Sequence, residues 1–583
     1  MLLRSPGSFD TAAIIDRPSD TGDNASLPRM SSPDEERADA LPRHGWTVPL
    51  VLLAALAVVH TWPLAVHPAT LSSNDNADAQ LNEWILAWVQ HALVHAPFHV
   101  FQANIFYPAN DSLAFSEPLI VPAMIGAPIA WFGGSPVLVF NLLTIVGLTL
   151  SALASYALIF AWTGNRIAAL LAGSVFAFNT HTLTRLPHMQ ALHIYGLPLV
   201  LLAVDRLVST GRTRDAWLIA LWLTILAYTS GYLLVFGAVL VGVAMIARVR
   251  DWLPRTRTVG SRFALASLIA IVAIAPLSVP YQRAANEQGM VRSLAAVTEY
   301  SATPAGYLAA SSRLHLATWS RPFFSDPVNS FFPGFAVITL AMVGLLTVRR
   351  LDGPSRQRVT MLAAIAVVGF VLSLGTHTPV YGWLYRLFPP MHGLRVAARF
   401  GNLFLLGTAG LAGFGLAYVH RTLASRGAST SYVPIAAAAF VILANVESLR
   451  APIQYQRFTG IPPLYGSLAT EPRVVLAEVP FYPRQATFEN AEYVLNSTAH
   501  WRPLMNGYSG YTPSSYVKLA DGFWYFPRDY AIEAMRRAGV THVMVHPERF
   551  GNEAEDVIRA LNARADFELM GVGTRGLRLY RLR

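Results

Sequence analysis

The chain has 583 residues, 53% of them hydrophobic and only 13% charged, with a formal net charge of +10 and a mean hydropathy of +0.40. Its positive charge is almost all arginine, Lys518 being the one lysine, and it lies in short connectors between apolar stretches. Such a distribution follows membrane topology and excludes nucleic acid as its cause, while the absence of cysteine excludes disulfides and thiolate metal sites.

Met1 to His44 is rich in Ser, Pro, Asp and Arg without apolar periodicity, so residues 1–45 read as a disordered cytoplasmic tail. A cleaved secretory signal would place its apolar segment nearer the start, so Trp46 to Val66 reads as a retained first span. Apolar stretches near the roughly 20 residues a bilayer needs then recur at 136–161, 166–179, 191–207, 215–230, 232–247, 262–280, 333–348, 358–374, 400–418 and 432–447. The basic connectors at 206–214, 248–262, 349–358 and 421–426 face the cytoplasm by the positive-inside rule. In that frame Pro118 to Trp131, with prolines at 118, 122 and 128, has no side to cross to and is expected to be re-entrant or interfacial. The expected architecture is a mostly α-helical polytopic membrane protein with about eleven transmembrane helices in residues 46–450, its N-terminus inside.

The first outer loop, 67–135, carries Asp75, Asp78, Glu83, Asp111 and Glu117 between Leu71 and Glu117 and no lysine or arginine. Asp75 and Asp78 precede Leu81, Trp84, Ile85, Trp88 and Ala92, an apolar stripe at helical spacing suited to the membrane interface. A carboxylate at the start of such a helix can deprotonate an acceptor hydroxyl; equally, Asp75 or Asn76 can cap the helix while Asp78 complements its dipole. Glu117 is either a second active-site carboxylate or a solvated loop residue. His91 and His95 have a chelating spacing, but no third ligand is nearby, and no metal site is assigned.

Arg185, His188 and Gln190 lie in a later outer loop. An outward arginine needs a partner there: a lipid phosphate, which suits its planar fork, or a first-loop carboxylate. Arg395 and Arg399, four apart, would share a helix face on entering a span, binding phosphate or snorkelling to headgroups. Residues 451–583 form an expected extracytoplasmic mixed α/β domain of roughly 130 residues, large enough for its own core. Its strands are expected at Val474–Val479 and Thr541–Val545, helices at Pro527–Ala538 and Asn552–Arg564, and a hairpin from Phe567 to Leu582 around Gly573. The aromatic loop Trp501–Pro513 reads as a sugar-binding surface or as a loop docking on the spans. Phosphate-cradling, dinucleotide and nucleophile-elbow motifs are absent, which disfavours an ATP-driven transporter.

Five stretches resemble a family of bacterial polytopic proteins in the GT-C glycosyltransferase superfamily: Asp78-Ala-Gln-Leu-Asn-Glu-Trp-Ile-Leu-Ala-Trp, Ala103-Asn-Ile-Phe-Tyr-Pro, Phe115-Ser-Glu, Gly393-Leu-Arg-Val-Ala-Ala-Arg-Phe and His500-Trp-Arg-Pro-Leu-Met-Asn-Gly-Tyr-Ser-Gly. The resemblance runs from Trp46 to the end, departing at Ala77, where the family often has Gly, and at Ala398, where it has Pro. It implies a polyprenyl-phosphate sugar donor, a glycan, lipid or protein acceptor, and inverting transfer outside the bacterial cytoplasmic membrane. Asp78 takes the position of the motif aspartate, while Asp75 has no firm counterpart; on this reading Asp78 is the catalytic base, Glu117 a helper, and Asp75, Arg185, His188, Gln190, Arg395 and Arg399 the substrate-binding candidates. No organic cofactor is required on this reading, and a divalent metal is left open. The rival readings are a non-enzymatic lipid-linked glycan transporter or assembly factor, and a catalytically degenerate scaffold. A transporter needs ionisable residues deep in its spans, whereas the charges here sit in loops and at span ends.

Overall fold

In the computed structural model, which describes residues 45–73, 75–327, 329–426 and 432–583, polar caps and glycine stops set the helix limits. Ser135 accepts from the Leu138 N–H, Pro136 opens the helix Pro136–Thr163, and Gly164 ends it in the left-handed region at φ +64°. Asn165 then caps Arg166–Ala177 by accepting from Ile167 and Ala168. The expected tail falls outside the described residues.

Among the described residues four helices are long and apolar enough to cross a membrane: Pro136–Thr163, Val249–Gln288, Gly353–Ser373 and Ala397–Ser425. They make the chain an integral membrane protein. Every other apolar stretch also holds a helix, but several are shorter than the sequence pattern suggests. Arg166–Ala177 and Phe335–Leu346 have 12 residues each, about 18 Å at 1.5 Å per residue, well short of a roughly 30 Å hydrocarbon core. The proline-bearing segment becomes the helix Ile120–Trp131, also 12 residues.

Small residues let these helices close. A Cβ at Gly415 would collide with the Leu340 carbonyl and one at Gly407 would meet the Leu362 carbonyl at 2.6 Å, so Gly401–Ser425 packs backbone-close to both Phe335–Leu346 and Gly353–Ser373. At one end of the bundle the buried Asp205 carboxylate accepts from Arg248, from Arg358 Nε at 3.0 Å and from Trp162 Nε1 at 2.8 Å. The basic connectors thus converge on one face, and the helix ends bearing Gly231 and Arg399 lie at the other.

The C-terminal region carries a four-stranded sheet ordered β3-β4-β6-β5, from Leu476–Val479, His542–Val545, Arg578–Leu582 and Phe567–Val572; β3 and β4 are parallel and the other pairs antiparallel. Helices Asp529–Arg537 and Ala554–Asn562 form where helical periodicity was read. The hairpin turns beyond Gly573, at Arg575 and Gly576, where φ is 58° and 73°. Its core is shared with the first loop: Leu81, Trp84 and Ile85 pack in one apolar cluster with Leu476, Val543 and Leu579. A short ladder, β1 (Leu71–Ser72) on β2 (Gln456–Arg457), ties the same loop to the chain after the last apolar helix.

Candidate active site

The helix Ala77–His95 begins at Asn76, whose Oδ1 accepts from the Asp78 N–H at 2.9 Å. The cap is therefore Asn76, which leaves the Asp78 side chain for other work. Asp78 Oδ1 accepts from the Tyr508 hydroxyl at 2.8 Å, and Oδ2 lies 3.2 Å from His188 Nε2. Burial alone would raise this carboxyl, but the His188 bond and charge, the Tyr508 hydroxyl and Arg399 outweigh it and hold Asp78 down at about 2. Burial lowers His188 against the pull of Asp78.

Glu117 sits at the start of the helix Gly231–Ala247, accepting from the Gly231 N–H at 3.0 Å. Burial pushes its carboxyl up, against Arg399, Ser230 and the Gly231 N–H. Neighbouring carboxyls driven in opposite directions are the arrangement from which acid and base roles are assigned.

Arg395 and Arg399 do not share a helix face. Arg395 lies in extended chain and Arg399 in the tight turn Ala397–Phe400, because regular helix begins only at Gly401. Tyr232 organises both: its hydroxyl accepts from the Arg395 and Val396 N–H groups at 3.0 and 3.1 Å, and its ring lies 4.6 Å beneath the Arg399 guanidinium. Arg395 stacks over Tyr300 at 5.1 Å.

Asp78, Glu117, His188, Gln190, Arg395 and Arg399 line one cavity of about 560 Å³, with Tyr232, Tyr281 and Arg292 among its other walls. A smaller annex of about 20 Å³ adds Arg185 and shares His188, Gln190, Tyr232 and Arg399. Arg185 is 9% exposed, and no ion pair with a first-loop carboxylate holds it among the described residues. Its Nε, the His188 Nδ1 and the Gln190 Oε1 are buried without a hydrogen-bond partner. Burial, reinforced by Arg399, lowers the Arg185 guanidinium to about 10. Orphaned buried polar atoms are costly and mark a place for a polar ligand, to which Arg185 Nε would donate and Gln190 Oε1 accept.

No family model and no curated protein matches the chain in sequence. Among solved structures, the mycobacterial arabinofuranosyltransferase AftD superposes with a TM-score of 0.57 at 14% identity, over 94% of this chain and 40% of that one. The likeness is one of fold. This chain therefore spans about 40% of AftD's length. The oligosaccharyltransferase AglB from Archaeoglobus fulgidus, solved with an inhibitory peptide and a dolichol-phosphate, gives a TM-score of 0.48 at 12% identity over 92% of this chain and 74% of its own. ArnT from Cupriavidus metallidurans, bound to undecaprenyl phosphate, gives 0.44 at 12% over 92% and 98%.

Asp75 is left outside the cavity, exposed in the turn before its helix, because Asn76 takes the cap and points the chain away. His91 and His95 stack on each other at 4.2 Å, and Trp501 stacks on His91 at 4.3 Å, so this pair serves docking of the aromatic loop. Among the described residues no three His, Asp or Glu side chains gather as a metal site would need.

Sequence reasoning missed Tyr508, Tyr232 and Arg292. Tyr508 belongs to the aromatic loop, whose backbone is held by the first loop: Phe106 N–H donates to the Asn506 carbonyl at 3.1 Å and Leu504 N–H to the Asn104 carbonyl at 2.7 Å. The available signal was the recurrence of both stretches among the resembling motifs. Arg292 follows the long helix Ser261–Gln288, and nothing local distinguishes it from other loop arginines.

Proposed function

We propose that the chain is a GT-C-type membrane glycosyltransferase that moves a sugar from a polyprenyl-phosphate donor to a cell-envelope acceptor on the outer face of the bacterial cytoplasmic membrane. The observation that carries this reading is the meeting of Asp78, Glu117 and Arg399 on one cavity at the end of the bundle opposite the basic connectors. The converging connectors support a cytoplasmic placement for that end, with the cavity and the C-terminal region outside. About eleven crossings, several of them short or tilted, accommodate this frame.

In the proposed reaction Arg185 and Arg399 take the donor phosphate, arginine's fork matching its oxygens, while Arg395 stands on the adjoining cavity wall. The acceptor hydroxyl oxygen bonds to the anomeric carbon from the face opposite the phosphate. The bond from that carbon to the phosphate oxygen breaks, and the hydroxyl proton passes to Asp78. A carboxylate held near 2 is a weak base; the His188 bond and charge and the Tyr508 hydroxyl lower it most, and the Arg399 charge adds the last part. An anion on Arg399 removes part of that field and raises the proton affinity of Asp78 when donor is bound. Glu117, pushed the other way, supplies a proton donor or hydrogen bond beside the leaving group.

The test is Asp78→Asn in the full chain reconstituted with lipid-linked donor. Transfer should fall about 10²- to 10⁴-fold, the usual cost of losing a general base, with normal expression and melting. Asp75→Asn should keep most activity. Normal transfer by Asp78→Asn would remove the catalytic assignment.

A further inference from the structure

Four arginines face the cavity and its annex, Arg185, Arg292, Arg395 and Arg399, and none forms an ion pair among the described residues. The carboxylates on the same walls are Asp78 and Glu117. A sugar-bearing phosphodiester brings one negative charge. Even with both carboxylates ionised, that donor leaves positive charge uncompensated, and half-buried charge without a counterion is costly.

The arginines fall into two pairs. Arg185 and Arg399 act on each other beside Asp78 and His188. Arg292 and Arg395 share the wall built from Met290, Val291 and the 389–396 segment, where burial and then the Arg395 charge lower the Arg292 guanidinium. Arg292 is fixed rather than loose: its N–H donates to the His392 carbonyl at 3.0 Å and its carbonyl accepts from the Tyr385 hydroxyl at 2.8 Å. One guanidinium N–H reaches the Gly510 carbonyl at 2.6 Å and the group lies over the Tyr511 ring at 5.8 Å, with Arg292 lining the cavity. Holding two like charges together at a cavity wall makes physical sense when an anion sits between them.

We infer that Arg292 and Arg395 form a second anion subsite, which takes an oxyacid group beyond the sugar-bearing phosphate. It deepens the donor reading above and rests on it for the identity of the first anion. The group comes either from a second phosphate on the donor or from an acid group on the acceptor.

The experiment is native mass spectrometry of the full chain titrated with inorganic phosphate. Wild type should retain two anions, Arg292→Gln and Arg395→Gln one each, and Arg292→Lys two with weaker retention. A wild type that retains a single anion, or an Arg292→Gln protein that still retains two, overturns the subsite. Titration with polyprenyl monophosphate and polyprenyl diphosphate then separates the sources. Diphosphate binding about tenfold tighter than monophosphate in wild type, with the gap closed by Arg292→Gln, assigns the group to the donor. Equal binding of both lipids, with one inorganic phosphate retained beside bound monophosphate, assigns it to the acceptor. Two retained anions without lipid binding keep the subsite and remove the donor reading; lipid binding with a single anion does the reverse.

Discussion

In the C-terminal sheet region Arg564 grips Asp566 through two bonds of 2.9 Å and also meets Asp529. Arg549 reaches Glu489 and Glu492 there, and Arg581 reaches Glu471 and Glu568. Around the cavity the same residue type meets tyrosine rings and backbone instead, with no carboxylate at ion-pair distance among the described residues. Composition does not explain the difference, because acidic residues are present in both places. In the sheet region these charges are answered within the chain; at the cavity the proposed anion would answer them.

The strongest way to probe that contrast is an acid on the cavity side. Glu83, fully buried on the same helix as Asp78, is hydrogen-bonded by the Ser72 hydroxyl at 2.9 Å, and burial raises it to about 8. Its folded-state value lies above the unfolded one, so its contribution is complete below about 4.5 and is lost as pH rises through about 8. Wild-type stability in detergent should therefore decline by roughly 3 to 5 kcal/mol across that window, and Glu83→Gln should flatten the profile. Parallel melting profiles for the two proteins would show that Glu83 does not titrate upward on folding.

Arg399→Gln comes next. Losing a charge-assisted phosphate contact is worth about 1.5 to 3 kcal/mol, a transfer loss of roughly 10- to 100-fold, while the melting temperature stays level or rises because no ion pair is broken. A large drop in melting with transfer intact would reverse the contrast. The smallest effect is expected in the sheet region: Arg564→Gln should cost about 1 kcal/mol or less, being half-exposed, and leave transfer unchanged. Part of that loss should be missing in acid. Asp566, held at about 2 chiefly by the Arg564 hydrogen bond, stops contributing as pH falls from about 4 through 2.

Local pattern reached most of the helices and the sheet, since apolar periodicity and turn residues act over a few positions. It overestimated Arg166–Ala177 because Asn179, a cap for the next turn at Thr180–Leu183, interrupts an otherwise continuous apolar run. It placed Arg395 and Arg399 on a helix because spacing alone cannot register that Tyr232 holds the preceding backbone extended. Asp78, Glu117, His188 and Gln190 were legible as polar residues in outer loops. Their convergence on one cavity was not, because it depends on contacts across the whole chain, such as Asp78 with Tyr508. An own core for the C-terminal region followed from its length, yet Trp84 and Leu81 supply part of that core from the first loop.

The bond between Tyr508 and Asp78 joins positions 430 residues apart, and Arg292 reaches Gly510 in the same aromatic loop. The cavity wall is therefore finished by residues translated well after the last apolar helix, Tyr432–Ser448. Every apolar helix can enter the bilayer, and the first loop can cross it, while that wall is still missing. A nascent chain paused before residue 500 would be inserted and membrane-stable but would present Asp78 without its hydroxyl partner. Arrival of the aromatic loop, rather than membrane insertion, is the moment at which the site is first complete.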